Sequence, residues 1–77
     1  MQNLSKQGTP VTLEQMYLYA QNNGIGVYGF SMPKCRAVTV EDGEGRCTIG
    51  IDNSRHYSRA EQKTMLAHEL GHCATGA

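Results

Sequence analysis

Two histidines and a glutamate stand close together near the end of this 77-residue chain, in the stretch His68-Glu69-Leu70-Gly71-His72. On a helix, residues four apart project from the same face about one turn apart, so the two imidazoles can present ring nitrogens to one ion. The glutamate lies about 100° round the helix from His68, which disfavours it as a ligand but lets it reach a water on the metal. The pattern H-E-x-x-H therefore predicts a zinc site with His68 and His72 as ligands and Glu69 as general base.

The predicted site has the chemistry of peptide hydrolysis. Zinc lowers the pKa of its bound water toward about 7, and a neighbouring carboxylate takes the proton as the water attacks a peptide carbonyl and passes it to the leaving amine. The alternative interpretation is that both histidines lie on the surface of an ordinary amphipathic helix and that Glu69 is a solvated charge. An intervening glutamate between histidines four residues apart favours the metal site.

The motif needs a helix to position it, and the sequence predicts one. Ser58 and Glu61 form a capping box, and the residues beyond them are good helix formers. We expect a helix from about Arg59 to Ala74, with Gly76 as its stop.

A first helix and three strands are predicted upstream. Thr12 and Gln15 form a second capping box, and Gly24 supplies a left-handed stop, which predicts a helix over about 12–23. Three strand-like runs follow, and the turn EDGEGR separates the last two, which predicts a hairpin. The predicted class is α+β, with an N-terminal helix, a small three-stranded sheet and then the H-E-x-x-H helix. The three runs are IGVYGF, AVTV and CTIGID.

Length and composition restrict the domain organisation and the partners. Residues 1–11 are polar and contain Gly8 and Pro10, which predicts a flexible arm ahead of a single domain over 12–77. Seven basic residues balance seven acidic ones without a Lys/Arg run, which argues against direct nucleic-acid binding. No apolar run approaches the roughly 18 residues of a membrane span, and no signal peptide is evident. We therefore expect a cytoplasmic protein; the oligomeric state stays open.

Three cysteines complete the inventory of reactive side chains: Cys35, Cys47 and Cys73. Their odd number and the absence of C-x-x-C spacing argue against a disulfide framework and against a cysteine-based zinc site. We expect reduced thiols, with Cys73 in the core because it shares a helix face with Leu66 and Leu70.

Other candidates favour ordinary structural roles. A solvent-exposed loop position is favoured for His56, and a turn with Asn53 is the default for Asp52 at the end of its strand. One of four tyrosines could hydrogen-bond a developing oxyanion, but nothing in the sequence selects which. These are Tyr17, Tyr19, Tyr28 and Tyr57.

The segment LAHELGHCATGA, with the lead-in SRAEQKTM and the preceding strand end IGID, resembles the ImmA/IrrE-type zinc metallopeptidases of bacteria and their mobile elements. The resemblance spans about Leu13 to Ala77, and H-E-L-G-H is its specific part. It implies the N-terminal part of a zincin-like fold, Zn²⁺ bound by His68 and His72, and water activated by Glu69. It also implies a protein substrate such as a helix-turn-helix repressor of a phage or mobile element.

The third zinc ligand is where the sequence departs from that family. Catalytic zinc sites have three protein ligands, and in the family the third comes from a later helix that this sequence lacks. We therefore expect a part of a metallopeptidase domain with weak or no activity alone, unless a dimer mate offers its His56, Asp52 or a cysteine, or a partner protein supplies a ligand of its own. A substrate peptide is expected to pair with the strand CTIGID.

Two other functions compete with peptidase activity. One is a non-catalytic remnant that regulates a repressor by binding it. The other, a structural metal site, is disfavoured because structural zinc prefers four protein ligands with cysteine prominent.

Overall fold

The computed structural model describes residues 11–76, which form two helices and a three-stranded sheet. The predicted arm over 1–11 lies outside the described residues except for Val11, which packs against the core. The α+β class, both helices and the three strands are confirmed. In chain order the elements are α1 (Leu13–Asn22), β1 (Gly26–Phe30), β2 (Ala37–Glu41), β3 (Cys47–Asp52) and α2 (Arg59–Thr75).

Both helices begin at the predicted capping boxes. The Thr12 hydroxyl accepts a hydrogen bond from the Gln15 N–H at 3.1 Å, and the Gln15 side chain accepts one from the Thr12 N–H at 2.8 Å. The same reciprocal pair joins Ser58 and Glu61 at the start of α2. These bonds satisfy N–H groups that a helix leaves without partners in its first turn, which fixes where each helix starts.

α2 ends at Thr75, one residue later than expected, and Gly76 follows it as the predicted stop. Gly76 has φ +72°, and its N–H donates to the His72 carbonyl at 2.8 Å. A residue with a β-carbon rarely adopts this left-handed backbone, so glycine is the natural stop. This hydrogen bond completes the last turn of the helix, which contains His72.

The sheet is mixed, with strand order β1-β3-β2. The predicted hairpin is confirmed because β2 and β3 are antiparallel, while β1 pairs with the other edge of β3 in parallel. With both of its edges hydrogen-bonded, β3 cannot accept a further strand, so the expectation that a peptide pairs with CTIGID is wrong. Among residues 11–76, the strands with an open edge are β1 and β2.

The core lies between one face of the sheet and the two helices. Its buried members are Leu13, Met16, Ile49 and Leu66, and Ile49 is fully buried at the centre of β3. Successive side chains of a strand point to opposite faces, so the other face of the sheet is open. It exposes Tyr28, Phe30, Val38 and Val40. Within the described part of the chain, no helix has the length and apolar character to cross a membrane.

A disulfide corrects the expectation of reduced thiols. Cys47, the first residue of β3, is bonded to Cys73 in the last turn of α2, with their α-carbons 5.8 Å apart. Only Cys35 is a free thiol among the described residues. Packing of α2 across the sheet brings two cysteines 26 positions apart into the range that a disulfide requires, a proximity that sequence spacing does not reveal.

Candidate functional site

A cleft of about 450 Å³ between α2 and β2 holds the motif residues. From α2, the three side chains His68, Glu69 and His72 line it. From β2, Thr39 and Glu41 line the facing wall. The sheet therefore brings polar residues opposite the motif, and the three residues predicted from the motif share one site.

The two imidazoles are in direct contact. Their Nε2 atoms are 3.1 Å apart, and the rings are nearly perpendicular at 88°. Two nitrogens bound tetrahedrally to one zinc ion at 2.0–2.1 Å would be about 3.3 Å apart. The 3.1 Å separation is the length of a hydrogen bond between the two rings, and it is also close to the spacing that two nitrogen ligands of one zinc ion require.

Glu69 is buried rather than solvated. The residue is 7% exposed, and the Thr39 hydroxyl donates a hydrogen bond to its Oε1 at 2.5 Å. Burial of a carboxylate is costly unless it is hydrogen-bonded, and Thr39 supplies that bond. Glu69 is thus held against β2 in the cleft that the histidines line, which contradicts the alternative reading of it as a solvated charge.

Thr39 and Glu41 were not singled out from the sequence. Alternation along β2 was the available signal, because Ala37, Thr39 and Glu41 fall on one face. A threonine on the face that packs against a helix needs a polar partner. The identity of that partner, Glu69, depends on how α2 packs on the sheet, which is a matter of tertiary structure.

Asp52 forms a separate polar centre at the other end of β3. The residue is 2% exposed. Its carboxylate accepts hydrogen bonds from the N–H and hydroxyl of Ser54, the N–H of Met32, Nε of Arg55 and the hydroxyl of Tyr57. These bonds, the Ser54 hydroxyl foremost, hold the pKa of Asp52 far below its usual range despite burial. The bond to Asp52 in turn raises the pKa of Tyr57.

The other candidates lie away from the histidine cleft. Asp52 and the exposed His56 line a second cleft of about 310 Å³. The buried, saturated carboxylate of Asp52 cannot be offered to the metal of a dimer mate. None of the four tyrosines lines the histidine cleft, so the structure places no tyrosine there to bind an oxyanion.

Across residues 11–76, no three metal-binding side chains are assembled into one cluster. The described chain thus presents a pair of histidines rather than a complete zinc centre, and zinc binding stays a prediction. Comparison of the chain with models of protein families, with curated proteins and with solved structures gives no match.

Proposed function

We propose that the protein is a zinc-dependent peptidase, or the part of one that carries the active-site helix. The observation that supports this most is the close approach of the His68 and His72 Nε2 atoms, 3.1 Å apart, in the cleft that Glu69 also lines. Zinc bound there would supply a Lewis acid that brings the pKa of water toward about 7. The motif's resemblance to ImmA/IrrE-type peptidases points to the same activity.

The chain's own residues have distinct roles in this proposal. His68 and His72 hold the ion from adjacent turns of one helix. Glu69 takes a proton from the attacking water and later gives it to the leaving amine, as a general base and then a general acid. Thr39 fixes the Glu69 carboxylate through its hydrogen bond, so that the base is oriented before substrate arrives.

The substrate in this proposal is an extended segment of a protein. β2 lines the cleft and has an open edge in the described structure, so its backbone N–H and C=O groups can pair with an added strand. A peptide paired there would run along the wall that faces Glu69. A helix-turn-helix repressor is the substrate that the family resemblance suggests.

The test is cleavage of a library of unstructured peptides by the zinc-treated full chain, with products identified by mass spectrometry. We expect slow, chelator-sensitive cleavage that Glu69→Gln reduces by about 10²–10⁴-fold, the usual contribution of a general base. Glu44→Gln, which removes an exposed carboxylate outside the cleft, is the matched control and should cleave like the unaltered chain. Zinc-dependent cleavage that survives Glu69→Gln would contradict the proposal, and no cleavage at all would exclude peptidase activity of this chain by itself.

A second candidate is a non-catalytic module that regulates a repressor by binding it. The exposed apolar face of the sheet favours this candidate, because contiguous exposed apolar surface often marks an interaction site. Repressor binding that survives both chelator and His68→Ala would support it. Loss of binding under both treatments would assign the interaction to the metal cleft instead.

A further inference from the structure

Catalytic zinc sites have three protein ligands, whereas α2 contributes two imidazoles to the cleft. We propose that Glu41, the last residue of β2, supplies the third ligand from the same chain. This inference rests on the proposed function, because it assumes that His68 and His72 bind zinc. Two histidines with one glutamate form an established ligand set of catalytic zinc sites.

Strand register places Glu41 beside the end of α2. Glu41 is paired with Cys47 across the antiparallel β2–β3 ladder, and Cys47 is disulfide-bonded to Cys73, the residue after His72. Paired α-carbons in such a ladder are about 5.5 Å apart, so the α-carbon of Glu41 lies within about 11 Å of that of Cys73. The ladder and the disulfide together keep this end of β2 close to the turn that carries His72.

Glu41 also lies on the appropriate face of its strand. It is two residues beyond Thr39, whose hydroxyl contacts Glu69, and alternation gives both residues the same face. Both line the cleft with the two histidines. Going along β2 from Thr39 to Glu41 follows the direction of α2 from Glu69 toward its C-terminal end. Thr39 lies beside Glu69, and Glu41 lies nearer the end of α2 that carries His72.

Among the acids of the β2–β3 turn, Glu41 is the one that is available. Asp42 accepts hydrogen bonds from Arg46 and from the Glu44 N–H, and Glu44 forms an ion pair with Arg46 at 3.3 Å. In the structure of residues 11–76, no ion pair engages Glu41, and its side chain is exposed. The Glu41 carboxylate can therefore rotate toward the histidines without breaking a salt bridge.

The two cleft carboxylates would then have different tasks. Glu69 is buried and held by Thr39, as suits a fixed base, whereas Glu41 is exposed at the same cleft and would act as a ligand. Because no cluster of three ligands is assembled in the described residues, metal binding must bring Glu41 inward. The attraction between its negative charge and a divalent cation would drive that movement.

The test measures the zinc affinity of the full 77-residue chain by competition with a chromophoric chelator. Glu41→Gln and Glu44→Gln remove the same charge from neighbouring positions, but only Glu41 lines the cleft. We expect Glu41→Gln to weaken zinc binding at least about tenfold, the minimum cost of disturbing a metal site's supporting groups, and Glu44→Gln to leave it nearly unchanged. Cobalt(II) absorption, which reports coordination geometry, should change in Glu41→Gln alone.

The outcomes separate this inference from the proposed function. If Glu41→Gln binds zinc as the unaltered chain does while His68→Ala loses binding, Glu41 is not a ligand and the histidine site stands. Equal weakening by both glutamine variants would show a general effect of charge and would also overturn the ligand role. A chain that binds no zinc would overturn both proposals. Unchanged melting of the metal-free variants would show that the fold is intact.

Discussion

Two carboxylates are buried in the described part of this small protein, and they are held in very different ways. Asp52, at the end of β3, is surrounded by five hydrogen-bond donors from its own loop and the β1–β2 connection. Within residues 11–76, Glu69 on α2 has a single side-chain donor, the Thr39 hydroxyl. Both lie next to clefts, but only Glu69 shares its cleft with the converging histidines.

The number of donors distinguishes a structural carboxylate from one available for chemistry. A carboxylate has about four acceptor sites, so five donors saturate Asp52 and leave nothing for a ligand or a proton in transit. One donor orients Glu69 and leaves most of its acceptor capacity unused. The same residue class at similar burial therefore has a structural role at one end of β3 and, in our proposal, a chemical role at the other.

Replacing Asp52 should have the largest effect on stability. Asp52→Asn keeps the shape but places an NH₂ group against several donors, and unsatisfied buried groups are costly. We expect the melting temperature to fall by roughly 10 °C or more. Asp42→Asn, at an exposed carboxylate that also accepts three hydrogen bonds, is the control and should change melting far less. Similar melting of the two variants would show that burial does not set the importance of Asp52.

Acid should weaken the fold through the same carboxylate. Hydrogen bonds lower the pKa of Asp52 in the folded state below its value of about 3.9 in the unfolded chain. The resulting stability is fully present from about one pH unit above that value and is lost as the pH falls through it toward the folded pKa. Chemical denaturation at a series of pH values should show the unfolding free energy declining below about pH 5. A decline equally steep in Asp52→Asn would assign it to other groups.

Removing the donor to Glu69 should cost less. Thr39→Val keeps the shape of the side chain but leaves the buried Glu69 carboxylate without its hydroxyl partner, which we expect to lower the unfolding free energy by about 1–2 kcal/mol. Thr39→Ser retains the hydroxyl, so its unfolding free energy should be close to that of the unaltered chain. If Thr39→Ser is as unstable as Thr39→Val, packing of the threonine methyl rather than the hydrogen bond is responsible.

Replacing Glu69 itself should have the smallest effect on stability. Glu69→Gln can still accept the Thr39 hydrogen bond and removes a buried charge, so the unfolding free energy should change by less than about 1 kcal/mol. Urea denaturation of the metal-free chain would measure this. A loss as large as that of Asp52→Asn would place Glu69 among the structural carboxylates and weaken its assignment as a base.

Local features of this protein were predictable from the sequence. The capping boxes at Thr12 and Ser58 and the stop at Gly76 depend on residues within a few positions of each other, so their signals are complete in a short stretch. The spacing of His68 and His72 likewise places both on one helix face. Convergence of their nitrogens follows from helix geometry and is visible in the structure.

Contacts between distant segments were not predictable in this way. The central position of β3, its disulfide to α2 and the Thr39–Glu69 hydrogen bond all depend on how the helix lies across the sheet. The odd number of cysteines argued against a disulfide framework, but three cysteines also allow one disulfide and one free thiol, which is what the structure contains. The position of Glu41 also depends on contacts between distant segments. In the sequence it is an ordinary turn residue, and only the strand register places it at the cleft.

The central claim is that His68 and His72 together bind a metal ion, and the imidazole nitrogens can be observed directly. Nitrogen-15 NMR of the full chain during titration with Zn²⁺ follows all three histidines, with the exposed His56 as an internal control. We predict that the Nε2 signals of His68 and His72 shift together and saturate at one zinc per chain, while those of His56 stay unchanged. Shifts of equal size at all three histidines, or none at His68 and His72, would contradict the account.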